Sequence, residues 1–223
     1  MRKLTAVAIL AISALFGTAR AEAATIFVQP PLYPTALGGW ASTVGEFRAF
    51  ENFNLASAET IRSITWQGMY FFGGPTPATN ATGFHVWFFA DDAGVPGATL
   101  AAGFYDVGAT NQTFVATEPF GDTPANIFNY TLNIVPFAAA AGTNYWMMVL
   151  AQLSDTSVRW AWTKGVGGDG ISIQTFDSFG PVFFTRDSLA FSLNNAAVPE
   201  PASMLLLGSG LAGLAVRRMR RQR

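Results

Sequence analysis

The chain has 223 residues, of which 50% are hydrophobic and 12% charged, with no cysteine and one histidine. This balance excludes a disordered chain, and the lack of thiols excludes disulfides, zinc–thiolate centres and cysteine nucleophiles. The formal net charge of −1 is a cancellation, because residues 24–197 carry five basic side chains against twelve acidic ones, which argues against nucleic acid as a partner.

In chain order, residues 1–23 come first. Arg2 and Lys3 precede an apolar run from Leu4 to Phe16, which leads into the small-residue stretch Ala19-Arg20-Ala21-Glu22-Ala23. A charged start, a short apolar middle and a small-residue end predict a secretory signal peptide, cut by signal peptidase after Ala21 or Ala23. A lasting N-terminal anchor is the competing reading, but the run is too short to span a hydrocarbon core of about 30 Å.

Residues 24–197 suit one domain. Short apolar or alternating runs recur between Gly, Pro, Asn and Asp clusters: Thr25 to Gln29, Glu59 to Phe72, Gly83 to Ala90, Leu100 to Val107, Phe128 to Phe137, Thr143 to Ala151, Val158 to Thr163 and Leu189 to Leu193. None keeps a helical period, so the predicted class is all-β, an antiparallel β-sandwich of jelly-roll-like architecture. Alternation puts Ile64 and Trp66 on one face and Thr65 on the other, and Gly68 predicts a bulge. Phe84 to Phe89 and Tyr145 to Leu150 are apolar on both faces, as central strands covered on each side would be. Twenty Phe and six Trp supply the bulk of an inter-sheet layer.

Candidate sites within this domain are few. Asp91 and Asp92 open a turn, with Gly94 and Gly97 expected to supply positive φ around Pro96; two carboxylates are a weak Ca²⁺ site, since that ion takes six to eight oxygens and adjacent strand residues diverge. His85 shares a face with Trp87 and Phe89 and reads as a hydrogen-bonded core or interface histidine; no G-x-S-x-G elbow accompanies it. Glu46, Glu51, Glu59, Asp106, Glu118, Asp155 and Asp177 are carboxylates that folding can pair for glycoside cleavage, but spacing singles out none. Trp160 and Trp162, at i and i+2, share a strand face and offer a sugar-stacking platform or, more simply, core packing. The Gly-rich stretch from Lys164 to Gly170 lacks G-K-[ST] and a following helix, so it is no phosphate cradle. The sequons at Asn80 and Asn111 mark exposed polar loops. No catalytic residue, metal or cofactor is assigned.

The C-terminal end has three parts: Val198-Pro199-Glu200-Pro201, an apolar run from Ala202 to Val216, and a basic tail with Arg217, Arg218, Arg220, Arg221 and Arg223. The two prolines hold the backbone extended, the shape a processing enzyme grips. The run is about 22 Å long as a helix, a marginal transmembrane span, and the arginines stop transfer on the cytoplasmic side. This end resembles the PEP-CTERM sorting signal. The resemblance implies recognition by an exosortase, a transient inner-membrane anchor, removal of the tail, and delivery to the cell surface or extracellular matrix of a Gram-negative bacterium. The middle of the chain, with Asp91-Asp92-x-Gly-x-Pro-Gly, Trp160-x-Trp162 and Asp187-Ser188-Leu189-Ala190-Phe191, resembles the β-sandwich module frequent in PEP-CTERM proteins, which implies a fold but no activity. The expected function is therefore a non-catalytic exported protein associated with exopolysaccharide. A carbohydrate-binding module and a two-carboxylate glycoside hydrolase are the alternatives.

Overall fold

The structure, a computed structural model, describes residues 24–71, 81–155, 157–176 and 183–197. The signal peptide, the sorting motif from Val198 to Pro201, the apolar run and the Arg-rich tail lie outside the described residues. Fourteen strands follow one another in these segments: β1 (Thr25–Gln29), β2 (Gly39–Ala41), β3 (Phe47–Asn54), β4 (Glu59–Phe71), β5 (Ala81–Asp92), β6 (Val95–Asp106), β7 (Thr110–Phe120), β8 (Thr123–Ala139), β9 (Asn144–Leu153), β10 (Arg159–Gly165), β11 (Ser172–Phe176), β12 (Phe183–Thr185), β13 (Ser188–Leu189) and β14 (Phe191–Asn194). One 3-10 turn, Val107–Ala109, joins β6 to β7. Among the described residues no helix is long and apolar enough to cross a membrane.

The strands form two antiparallel sheets. In the first, of eight strands, β4 pairs with β8 along one edge and with β14 and then β10 along the other; β7 extends it beyond β8, and β1 beyond β14. The second has six strands in the order β12, β11, β3, β9, β5, β6. The two strands read as central, β5 and β9, are interior to it and pair with each other. Their two-sided apolar character has a direct cause. Phe84, Val86, Phe88, Met147 and Val149 face the layer between the sheets, while the alternate residues Trp146, Met148 and Leu150 join Phe50, Phe89 and Ile173 in a second cluster on the outer face.

Aromatic rings fill the layer between the sheets. Trp66 stacks on Tyr130 at 5.1 Å, and Phe84 meets Trp66 at 5.2 Å and Trp160 at 5.5 Å, both edge-on. Each such side chain, taken from water, contributes about 1.5–3 kcal/mol, so a chain without disulfides is held by this layer. Ile64 and Trp66 point inward and Thr65 outward, where its hydroxyl meets that of Ser192. Gly68 marks no bulge, since its register with β8 and β10 is unbroken; the bulge of β4 falls between Ile61 and Ser63. Gly68 is required because the Trp160 indole lies across it, 2.2 Å from where a Cβ would stand. Strands β3, β7 and β11 carry polar or charged residues, and apolar runs alone do not reveal them. Asn111, expected in a loop, is an exposed residue of β7.

Candidate functional site

Antiparallel pairing brings the end of β3, the start of β9, the β5–β6 turn and the β10–β11 connection to one end of the sandwich. They enclose a cleft of about 490 Å³, floored by Gln29, Phe53 and Trp146 and walled by Asn52, Asn54, Asn144, Asp91 and Asp169. That volume lies within the range of about 300–1,000 Å³ common to ligand sites.

Each carboxylate is locally pinned. Asp91 accepts from the Trp146 indole N–H at 2.7 Å through Oδ1 and from the Gly94 N–H at 3.2 Å through Oδ2. The turn is tight, with positive φ at Ala93 (53°) and Gly94 (86°); Gly97, expected to share this role, lies in β6 at the register shift of the hairpin, where a Cβ would stand 2.8 Å from Asp92 Cβ. Asp169 accepts from the Ile171 N–H at 2.8 Å and from Asn52 Nδ2 at 2.7 Å. Its loop is shaped by Gly167 (φ 91°) and Gly170 (φ 75°), and at Gly168 a Cβ would stand 2.2 Å from Ser188 Oγ. Asn54 Nδ2 donates to Asn144 Oδ1 at 2.8 Å. Among the described residues no lysine or arginine lines the cleft.

Behind Gln29 and Phe53 sits Glu51, wholly buried and facing inward from β3. Its Oε2 accepts from the Leu189 N–H at 2.8 Å, and the Gln29 amide nitrogen, in the orientation where it meets only acceptors, lies 3.2 Å from Oε1 and 2.8 Å from the Leu189 carbonyl. Burial pushes the carboxyl up to about 9, and the charge of nearby Asp169 acts in the same direction. Glu51 is thus a neutral core group at pH 7 that braces β1, β3 and β13.

The residues singled out by sequence are dispersed. Trp160 and Trp162 are fully buried, with their indole N–H groups donating to Tyr130 Oη at 3.2 Å and to the Ala190 carbonyl at 2.8 Å. Neither offers a ring to a sugar, because their shared face is the inward one. Asp91 and Asp92 diverge: Asp91 enters the cleft and Asp92 is exposed, and among the described residues no group of three or more acidic or imidazole side chains converges on a metal-sized site. His85 is not in the core. It is half-buried on the outward face, 4.8 Å from the Phe104 ring and 3.4 Å from Gln152 Oε1.

Of the scattered carboxylates, Glu46 pairs with Arg159 at 2.9 Å, Glu118 accepts from the Tyr33 hydroxyl at 2.9 Å, Glu59 meets Ser57 and Asn195, and Asp155 accepts from the Ser157 N–H, which holds its carboxyl below the usual range. Asp177 lies outside the described residues. Sequence reasoning missed Asn52, Asn54, Asn144 and Asp169; the one signal available was the Gly-rich loop that carries Asp169.

A second groove, of about 400 Å³, runs along the outer face of the first sheet beside Thr65, Asn129 and Ser192. Its polar groups bond one another, Gln67 Nε2 to Asn129 Oδ1 at 3.1 Å and Thr65 to Ser192.

Comparison with known proteins bears on the C-terminal end. The family model of the PEP-CTERM protein-sorting motif matches residues 197–221, covering the Pro-Glu-Pro segment, the apolar run and most of the arginine cluster. No curated protein and no solved structure matches the chain. The chain therefore carries the PEP-CTERM protein-sorting motif at residues 197–221.

Proposed function

We propose that this protein is a non-catalytic component of the cell surface or extracellular matrix of a Gram-negative bacterium, exported by its signal peptide, released by exosortase and associated with exopolysaccharide. The observation that carries the reading is the sorting motif at residues 197–221, which marks the chain for exosortase-targeted export. On this reading its parts act in order: the Val198-Pro199-Glu200-Pro201 segment is what the processing enzyme recognises, the short apolar run holds the chain briefly in the inner membrane, and the arginines fix its orientation. An aromatic-packed sandwich without cysteine, facing outward with an acidic surface, is a stable cargo for that route.

The hydrolase reading asks for a carboxylic acid of raised pKa beside a second carboxylate at the substrate. Glu51 has the raised pKa but no exposed surface, so it touches nothing in the cleft. Deleting Val198 to Pro201 tests the sorting route. Fractionation is expected to show the uncut chain retained in the inner membrane, and unchanged tail removal and surface delivery would overturn it.

A further inference from the structure

We propose that the end cleft binds neutral saccharide units, with Asn52, Asn54, Asn144, Asp91 and Asp169 as the hydroxyl-recognising groups; this locates the contact that the exopolysaccharide association above requires, and rests on that reading.

Charge selects the ligand class. Among the described residues the cleft holds two carboxylates and no basic side chain, so an acidic polymer or a phosphate meets repulsion with no compensating partner. A neutral polyol meets the reverse situation, since each hydroxyl donates and accepts and pairs with both carboxylate and amide.

The unused hydrogen-bonding capacity fits that ligand. Asn144 Nδ2, Asn54 Oδ1 and Asn52 Oδ1 have no partner among the described residues, while the opposite end of each amide is fixed by a neighbour. The carboxylates are likewise held from behind by the Trp146 indole and by backbone N–H groups. An acceptor pinned on one side with its other lone pairs open is ordered before binding, so little conformational entropy is lost on association. The rim adds apolar surface for the C–H face of a sugar ring, through half-buried Phe27 and exposed Ile171. The groove beside Thr65 lacks this combination, because its amides and hydroxyls already satisfy one another.

A hard cation is the rival occupant of a site with two carboxylates, and the test separates the two. The full-length chain in detergent micelles is run by affinity electrophoresis through gels containing dextran, mannan or galactan as neutral probes and alginate as the acidic one. Retardation is expected with at least one neutral polymer and not with alginate. Loss of the paired amides in N54A/N144A is expected to weaken that binding about tenfold, as is D169N, with the melting temperature held within a few degrees to show that the sandwich is intact. Absence of retardation by every neutral polymer overturns the proposal. So does equal binding by folded variants, or binding that EDTA abolishes and Ca²⁺ restores. Co-purification with native matrix keeps the two claims apart: if wild type and variants co-purify equally, the association stands and the cleft assignment falls; if the cleft binds neutral polymer but the chain does not co-purify, the association falls and the cleft stands.

Discussion

Gly68 shows what one hydrogen atom decides in this core. It lies on the inward face of β4, and the Trp160 indole occupies the space a side chain would need. Because Trp160 is itself locked by Phe84, Tyr130 and a hydrogen bond, the ring cannot retreat. Gly68→Ala is expected to cost about 1–3 kcal/mol through overpacking, read as a melting temperature lowered by several degrees; an unchanged melt would refute the close approach. Glu51 makes a different prediction, about pH. Its carboxyl titrates near 4.5 when unfolded and near 9 when folded, so across that window the native state holds a proton the unfolded chain lacks. Stability is therefore fullest below the unfolded value and falls as pH rises toward 9, by at most about 1.4 kcal/mol per pH unit. In Glu51→Gln the slope is expected to disappear, so that the variant gains on the wild type between about pH 5 and about pH 8 in paired denaturation curves. Parallel curves would show that Glu51 is not buried as described.

At the scale of elements, the β5–β6 hairpin is the piece on which local and long-range forces meet. Its two-residue turn sets the register of a twelve-residue edge strand, and its first carboxylate satisfies the indole N–H of Trp146, a side chain with 1% exposure on the neighbouring strand. Asp91→Ala leaves that N–H buried without an acceptor and is expected to cost about 1–3 kcal/mol, while Asp91→Asn, which keeps an oxygen in place, recovers most of it. Chemical denaturation of the two variants side by side checks this, and equal losses would assign the effect to the turn itself. The strands that apolar runs do not reveal share a cause. β3 carries Arg48, Glu51, Asn52 and Asn54, and β7 is an edge strand with polar residues and Pro119, so neither shows the apolar run that marks an interior strand. β5 and β9 were legible because both of their faces are covered.

At the scale of the molecule, one aromatic cluster spans both sheets, so neither sheet keeps its apolar face covered without the other. Residues 24–197, expressed alone, are expected to unfold in a single cooperative transition, with calorimetric and van't Hoff enthalpies in agreement; two transitions would mean that the sheets are independent. The sorting motif at residues 197–221 was readable from the linear chain, because its meaning lies in residue order. Strand alternation, the central strands and the all-β class were readable for the same reason, since a period of two is a local property. Alternation relates Trp160 to Trp162 but does not say which face is inward, and only the pairing of β10 with β4 and β2 put both indoles in the core. Nor does spacing bring Gln29, Asn52, Asp91, Asn144 and Asp169 together or bury Glu51 behind them. That cleft exists because antiparallel strands return distant parts of the chain to one end of the sandwich, a relation fixed by packing between sheets and absent from any local stretch of residues.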